Sequence, residues 1–299
     1  MSPWGAYGRP GPPPSLVHSI HPVWRCGATL FTLDRTLIMG VLNVTPDSFS
    51  DGGRTIAEDA IAHGRALAGA GADIIDIGGE STRPGASLVP EDEERRRVLP
   101  VIEALAAAGL VISLDTSKAA VARAGIAAGA RILNDVAGFR DPEMVRVAAE
   151  SDVGLCVMHM QGEPRTMQVS PTYDDVVLDV ARELSAAVLR LDAAGVSRDR
   201  ITVDPGIGFG KTLAHNLALI RAGHLLTAQT GCPVLMGVSR KSFLGTLTGK
   251  PPTEREFGTA AAVTAAILTG SSIVRVHDVA AQRDVVRVAD ALRGQGYGV

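Results

Sequence analysis

The stretch Leu37–Asn43, LIMGVLN, followed by VTPDSFSDGG over residues 44–53, decides the fold. The run is apolar until Asn43, without the alternation of a half-exposed strand, which is typical of a strand buried on both faces of a parallel sheet. An open doubly wound sheet usually carries a glycine-rich phosphate loop directly after its first strand. Hydroxyls and aspartates follow here instead, so the stretch favours a barrel.

Further apolar runs of the same kind follow along the chain, and each ends in a polar residue. They cover residues 73–81, 111–117, 131–136, 154–160, 201–206, 234–240 and 273–278. Alanine-rich amphipathic segments between them predict helices, at residues 57–72, 119–130, 176–195 and 258–270. Several of these segments end at a glycine, which is typical of a helix C-terminus. About eight strand–helix units in about 260 residues predict an α/β protein of one domain, a (β/α)8 TIM barrel, with a short N-terminal hairpin at residues 28–36.

Composition and charge exclude several classes of protein. The chain has 299 residues, 46% hydrophobic and 20% charged, so it can bury a full core. Its net charge of -3, with no basic face, argues against nucleic acid as a partner. No apolar run reaches the roughly 18 residues of a membrane helix, and three scattered cysteines fit the reducing cytoplasm. We interpret residues 1–25 as a flexible Pro/Gly-rich extension and residues 26–299 as the barrel domain.

Polar side chains at the strand ends predict a single site. The C-terminal ends of barrel strands converge on one mouth, however far apart they lie in sequence. A lone Asp or Asn at such an end is usually a helix cap or turn former, but polar groups from every strand are costly unless a ligand or water satisfies them. The candidates are Asn43, Glu80 with Thr82, Asp115, Asn134, His159, Asp204, Ser239 and His277.

Three motifs suggest the chemistry of this mouth. DPGIGFGK at residues 204–211 resembles a nucleotide P-loop but has Pro205 where that loop needs glycine. In GVSRKSFLG at residues 237–245, the N–H groups that open the next helix favour an anion. Arg275 and His277 alternate on the last strand, beside Asn43, and could hold a phosphate or pyrophosphate. Asp115, Asn134 and Asp204, with Lys241 nearby, offer groups to a flat heterocycle rich in donors and acceptors.

Taken together, the motifs closely resemble those of the bacterial dihydropteroate synthases, pterin-binding TIM barrels, over about residues 36 to 295. No single run is specific, but the combination is. The matching runs are MGVLNVTPDSFSDGG, GADIIDIGGESTRPGA, SLDTSK, ILNDVAGF, VMHMQGEPRTMQ, DPGIGFGK, GVSRKSFLG and RVHDV. The resemblance implies a homodimeric transferase that joins 4-aminobenzoate to (7,8-dihydropterin-6-yl)methyl diphosphate, with Mg²⁺ as cofactor, and releases 7,8-dihydropteroate and pyrophosphate.

The resemblance also implies roles for individual residues. The pterin would be held by Asp115, Asn134, Asp204 and Lys241, with Thr82 beside it. Asn43 would bind Mg²⁺ together with the diphosphate, which Arg275 and His277 would hold. The aminobenzoate pocket would consist of Ser239, Phe209 and Phe49. Two loops would close over the site and bring in the catalytic side chains Asp47, Asp51 and Arg83, which would act with Lys241.

Two other functions compete with this one. A pterin-binding methyltransferase on the same barrel would also use Asp and Asn at strand ends, but it needs no diphosphate site, so Arg275 and His277 argue against it. A non-catalytic pterin-binding protein is the second alternative. Release of pyrophosphate from the pterin diphosphate, in the presence of 4-aminobenzoate and Mg²⁺, distinguishes the synthase from both.

Overall fold

The computed structural model describes residues 23–45, 56–81, 88–162 and 166–294. Two antiparallel strands are followed by eight parallel strands that close into a barrel, with β10 beside β3. The strands are β1 Val23–Cys26, β2 Thr29–Thr32, β3 Leu37–Asn43, β4 Ile74–Gly78, β5 Ile112–Asp115, β6 Ile132–Asp135, β7 Gly154–Met158, β8 Ile201–Asp204, β9 Val234–Met236 and β10 Ser271–Val276. The predicted TIM barrel with an N-terminal hairpin is confirmed.

Ten α-helices surround the barrel in the described residues. They are α1 Ile56–Ala70, α2 Glu91–Ala107, α3 Ala119–Ala127, α4 Pro142–Glu150, α5 Val176–Ala193, α6 Leu213–Arg221, α7 Gly223–Thr230, α8 Ser242–Thr248, α9 Glu256–Leu268 and α10 Val279–Arg293. Glycines that follow four of them have positive φ, as their predicted capping role requires; these are Gly71, Gly129, Gly195 and Gly270. None of the described helices is both long and apolar enough to span a membrane.

Strand side chains alternate between the helix layer and the barrel interior. On β4, Ile75 and Ile77 pack into the main core between strands and helices, whereas Ile74 belongs to a second apolar cluster with residues of the hairpin. Alternation has period two, so Asp76 points to the same interior side as Ile74. The interior is therefore apolar at its base and polar nearer the mouth.

The hairpin closes the base of the barrel. Trp24 is fully buried, and its Nε1 donates to the Arg200 carbonyl oxygen at 3.0 Å. A Cβ added to Gly154, at the start of β7, would overlap Cys26 Sγ, so the hairpin sits directly on the barrel. The predicted position of the hairpin, residues 28–36, was wrong, because β1 begins at Val23.

The boundary between extension and domain shifts with the hairpin. Residues 23–25, which the sequence analysis assigned to the extension, are the first three residues of β1. The sequence signal was weak, because the buried Trp24 and Cys26 alternate with partly exposed residues in a strand of four residues that follows proline-rich sequence. The rest of the predicted extension lies outside the described residues.

Candidate active site

Four side chains at the barrel mouth form one hydrogen-bonded network, which we call the mouth network: Asp76, Asp115, Asn134 and Arg275. Arg275 Nε donates to Asp76 Oδ2 at 2.6 Å, and Arg275 Nη2 donates to Asp115 Oδ2 at 3.0 Å. Asn134 Nδ2 donates to the same Asp76 oxygen at 3.1 Å. The network joins residues of β4, β5, β6 and β10. The structure thus brings together three of the residues predicted from the sequence, Asp115, Asn134 and Arg275.

Asp76 is the member of the network that the sequence analysis missed. It is fully buried inside a strand whose other residues are apolar or glycine. Glu80, the residue predicted to represent this strand at the mouth, instead forms an ion pair with Lys118, which also pairs with Glu94 of α2. The available signal was an aspartate in the middle of an apolar run, because a buried carboxylate needs a partner.

Burial and charge pull the pKa values of the network in opposite directions. Burial raises the pKa of Asp115 to about 7, although the positive charge of Arg275 acts to lower it. Burial lowers the pKa of Arg275, but the carboxylates of Asp76 and Asp115 outweigh it and raise that pKa overall. Arg275 therefore stays charged, while Asp115 titrates near neutral pH.

Lys241 and Phe209 face each other on another side of the mouth. Lys241 Nζ lies 4.1 Å from the centroid of the Phe209 ring, within reach of a cation–π interaction. Burial and the nearby Arg275 lower the pKa of Lys241 to about 8. Asp204, at the end of β8, accepts a hydrogen bond from the Gly206 N–H at 2.7 Å, and burial raises its pKa. Lys241, Phe209 and Asp204 thus bring a cation, an aromatic ring and a carboxyl group to this part of the barrel.

Ser239 and His277 are in direct contact. The backbone N–H of His277 donates to Ser239 Oγ at 3.2 Å, and His277 Nδ1 lies 3.1 Å from the same oxygen. Ser239 lies beyond the end of β9 at Met236. The predicted set of free N–H groups after it is smaller than expected, because the Arg240 N–H donates to Thr259 Oγ1 at 3.1 Å.

Two strand-end residues point away from the mouth. Asp135 is buried and accepts hydrogen bonds from the N–H groups of Ala137 and Phe139. It therefore organises the turn after β6 and leaves the neighbouring Asn134 for the interior. His159 was a candidate for the predicted ring, but its Nε2 lies 3.3 Å from Glu183 Oε2 on α5, so it faces the helix layer.

Part of the predicted site lies outside the described residues. This holds for Asp47, Phe49, Asp51, Thr82 and Arg83. Asn43 ends β3 and is partly buried. Within the ranges that the structure describes, no group of three or more His, Cys, Asp or Glu side chains could hold a metal ion.

The hydrogen bonds of the network determine what a ligand must offer. Because Asn134 uses Nδ2 to donate to Asp76, its Oδ1 is directed elsewhere as an acceptor. Asp115 and Asp204 add carboxyl groups, and Lys241 adds a cation. A flat ligand with several N–H donors along one edge and a carbonyl group matches this arrangement.

Comparison with known proteins identifies the family. Residues 39–277 match the family model described as pterin binding enzyme. The chain belongs to the pterin-binding enzyme family.

Relatives within this family are similar over nearly their whole length. The chain is 49% identical over 275 residues to a dihydropteroate synthase of Neisseria meningitidis serogroup C, which covers 90% of this chain and 97% of that protein. A solved structure of the Xanthomonas albilineans dihydropteroate synthase with 4-aminobenzoic acid superposes with a TM-score of 0.86 at 46% identity, over 92% of this chain and 100% of that one. The Burkholderia cenocepacia enzyme complexed with 7,8-dihydropteroate gives a TM-score of 0.82, also at 46% identity, over 91% and 96% of the two chains.

Proposed function

We propose that the protein is a dihydropteroate synthase of folate biosynthesis. It condenses 4-aminobenzoate with (7,8-dihydropterin-6-yl)methyl diphosphate to give 7,8-dihydropteroate and pyrophosphate. The observation that carries this function is the mouth network, in which an arginine suited to a diphosphate is bonded to the carboxylate expected to hold the pterin. The relatives of known structure, crystallised with 4-aminobenzoic acid and with 7,8-dihydropteroate, support the same reaction.

The pterin is assigned to the acceptor-rich side of the mouth. Its amino group and ring N–H groups donate to Asp115, Asn134 Oδ1 and Asp204, and Lys241 stands opposite its carbonyl oxygen. The buried polar groups of the protein make this edge selective. A ring that lacks the matching donors would leave these groups unpaired, and its kcat/KM should be lower by a factor on the order of 10⁴. Phe209 supplies the apolar wall on which the aminobenzoate ring can pack.

The reaction exchanges one bond at the exocyclic carbon of the pterin. The bond from this carbon to the diphosphate oxygen breaks, a bond to the aminobenzoate nitrogen forms, and that nitrogen loses a proton. An aniline nitrogen is a weak nucleophile, so the rate gains most when the leaving group is stabilised. Arg275, with His277 beside it, is placed to offset the charge that grows on pyrophosphate, and no covalent enzyme intermediate is required.

We propose that Mg²⁺ accompanies the diphosphate. Asn43 supplies a single amide oxygen, and Mg²⁺ commonly takes few protein ligands and completes its shell with water and substrate phosphates. Bound there, Mg²⁺ would add positive charge at the departing pyrophosphate. Pyrophosphate titrated calorimetrically into the protein should bind more tightly with Mg²⁺ than with EDTA, and Asn43→Ala should reduce that difference. An equal difference in the variant would exclude Asn43 as a ligand.

Purified protein, the pterin diphosphate and 4-aminobenzoate test the reaction directly. The synthase should release pyrophosphate and form dihydropteroate in equal amounts. A pterin-binding methyltransferase, or a binding protein without catalysis, would release no pyrophosphate under these conditions. Absence of pyrophosphate release from a correctly folded preparation would therefore refute the proposed function.

We also propose that the protein is a cytoplasmic homodimer. All three cysteines are free and buried, which suits a reducing compartment. Helices α9 and α10 pack on each other and expose apolar side chains, among them Phe257 at 88% and Leu292 at 68%. Exposed apolar side chains of this size on neighbouring helices favour a protein partner, and a second copy of the chain is the occupant we propose.

A further inference from the structure

Lys211 is a buried cation for which the proposed reaction has no use. Its exposure is 4%, and no carboxylate within the described ranges forms an ion pair with it. Its Nζ donates to the Phe209 carbonyl oxygen at 2.8 Å and lies 3.1 Å from His159 Nδ1. Burying an ammonium group is costly unless hydrogen bonds compensate for the lost water, so these contacts indicate a specific role.

The bonds of Lys211 link two neighbouring strand ends. His159 directly follows β7, and Phe209 lies in the turn between β8 and α6. Burial lowers the pKa of His159, so the ring is neutral near pH 7 and its Nδ1 accepts from the ammonium group. The remaining ring proton then resides on Nε2, which faces Glu183 Oε2. His159 thus lies between Lys211 and Glu183 of helix α5.

The turn that carries Phe209 lies directly against the segment that follows β7. Gly206, Gly208 and Gly210 all have positive φ. A Cβ at Gly206 would overlap the His159 carbonyl oxygen, and one at Gly210 would come within 2.7 Å of the Gln161 carbonyl oxygen. The turn is therefore built against the segment after β7, the same segment to which Lys211 ties it.

Side chains from several directions hold the backbone of the same turn. The Gly208 N–H donates to Asn216 Oδ1 at 2.7 Å, and Gln168 Nε2 donates to the Gly208 carbonyl at 2.7 Å. Tyr173 OH donates to the Gly210 carbonyl at 2.9 Å. With the bond from Lys211 to the Phe209 carbonyl, three consecutive carbonyl groups of the turn have a side-chain donor.

Phe209 is the side chain of this turn that reaches the mouth. It packs on a small apolar cluster made of Val136, Met158, Met160 and Met167, and its other contact is Lys241. The position of Phe209 therefore sets the apolar wall of the mouth that is assigned to the aminobenzoate ring. Within the described residues, Lys211 bonds to His159 and to the Phe209 carbonyl and forms no hydrogen bond with the mouth network.

We propose that Lys211, bonded to neutral His159, is a positioning residue that fixes the Phe209 turn for binding of 4-aminobenzoate. This role rests on the proposed synthase function. Burial lowers the pKa of Lys211 to about 7, and the neutral amine still has N–H groups to donate to the same acceptors. The role therefore depends on hydrogen bonding by the nitrogen and survives the loss of its proton.

Steady-state kinetics of matched variants test the role. Lys211→Met removes the donors while keeping a long unbranched chain, and Lys250→Met makes the same change at an exposed lysine that pairs only with Glu254 in the described structure. Loss of a buried hydrogen bond that orders the turn should raise KM for 4-aminobenzoate about tenfold or more in Lys211→Met. In the same Lys211→Met variant, KM for the pterin diphosphate should change about threefold or less. Lys250→Met should have the wild-type KM for both substrates.

Variants of His159 keep the inference testable even where Lys211→Met folds poorly. His159→Asn places an acceptor near the position of Nδ1, whereas His159→Leu removes it. The Asn variant should keep the wild-type KM for 4-aminobenzoate and the Leu variant should raise it. Equal values for the two variants, or a Lys211→Met variant with both KM values unchanged, would overturn the proposal.

Amide hydrogen exchange separates failure of this inference from failure of the proposed function. In folded protein without substrates, peptides covering residues 206–211 should exchange faster in Lys211→Met and His159→Leu than in the wild type. Unchanged exchange there would overturn the inference whether or not the wild type is active. If the variants exchange faster than the wild type but the wild type itself has no synthase activity, the positioning role stands and only the proposed function is refuted.

Discussion

At the scale of single residues, Asp76 joins the two halves of the mouth. One of its oxygens accepts hydrogen bonds from both Arg275 and Asn134. It therefore fixes an arginine assigned to the diphosphate and an amide assigned to the pterin at the same time. A buried carboxylate that serves two donors has little freedom to move, so the geometry of both halves depends on it.

Replacement of Asp76 should weaken both halves together. Asp76→Ala leaves Arg275 with Asp115 as its remaining partner and releases the Asn134 amide, so binding of pyrophosphate and of a pterin fragment should both fall. Removing one partner of a buried charged pair should also cost on the order of 3 kcal/mol in the free energy of unfolding. Asp76→Asn, which can keep an oxygen at the shared position, should lose less of both. Calorimetric titration and urea unfolding measure these effects, and an alanine variant that binds pyrophosphate normally would contradict the linking role.

The mouth should bind pterin best in a narrow pH range. The pKa of Asp115 is raised to about 7 and that of Lys241 is lowered to about 8. A ligand N–H donor prefers the carboxylate, so below pH 7 binding requires Asp115 to release a proton and affinity should fall as pH falls. Above pH 8 Lys241 loses its charge and affinity should fall again. Each limb should approach tenfold per pH unit.

Titration of a pterin fragment across pH measures this profile. Asp115→Asn cannot titrate and should weaken the acidic limb, to which Asp204 still contributes, while leaving the alkaline one. The raised pKa of Asp115 also makes the free energy of unfolding depend on pH. Because the folded state raises the pKa of Asp115 by burial, its contribution to stability is present below its unfolded pKa and is lost as pH rises toward 7.

At the scale of elements, the sequence predicts strands better than it predicts the site. Leu37–Asn43 agrees with its predicted bounds, because a long apolar run with a polar end has few other structures open to it. Asp115 and Asn134 lie at the ends of β5 and β6, as predicted, and their proposed roles in binding the pterin stay predictions. Asp76 could not be predicted in this way, because it lies inside its strand and its function depends on partners on β6 and β10, far away along the chain.

The base of the barrel offers a test of how the hairpin docks. Gly154→Ala would place a Cβ against Cys26 Sγ, and overpacking of a tight interior typically costs about 1–3 kcal/mol. In a Cys26→Ala background the sulfur is gone, so the same glycine substitution should cost less. Urea unfolding of the two single variants and the double variant measures the coupling.

The same variants separate the base of the barrel from its mouth. The mouth network lies at the opposite ends of the strands, so kcat/KM per folded molecule should stay at the wild-type value in all three variants. The proposed docking would be contradicted if the free-energy costs of the two single substitutions simply add in the double variant. A change in kcat/KM without loss of folded protein would also contradict it.

At the scale of the whole molecule, the mouth network and the proposed dimer surface involve different elements of the fold. The contacts of the mouth network join side chains of the barrel strands β4, β5, β6 and β10. Phe257 on α9 and Leu292 on α10 belong to helices that pack on each other. We propose that the dimer forms through the exposed apolar side chains of these two helices.

Charged substitutions on the α9–α10 surface should separate the proposed dimer without abolishing ligand binding. Phe257→Glu combined with Leu292→Glu would place carboxylates in a desolvated interface, which costs several kcal/mol, and sedimentation velocity should show a monomer. Leu178→Glu on α5 makes the same change at another exposed leucine and should leave a dimer. Because the network residues lie on barrel strands and not on α9 or α10, the monomer should still bind a pterin fragment with an affinity within about threefold of the wild type. A double variant that remains dimeric would place the interface elsewhere, and a monomer that no longer binds pterin would mean that the partner subunit shapes the mouth.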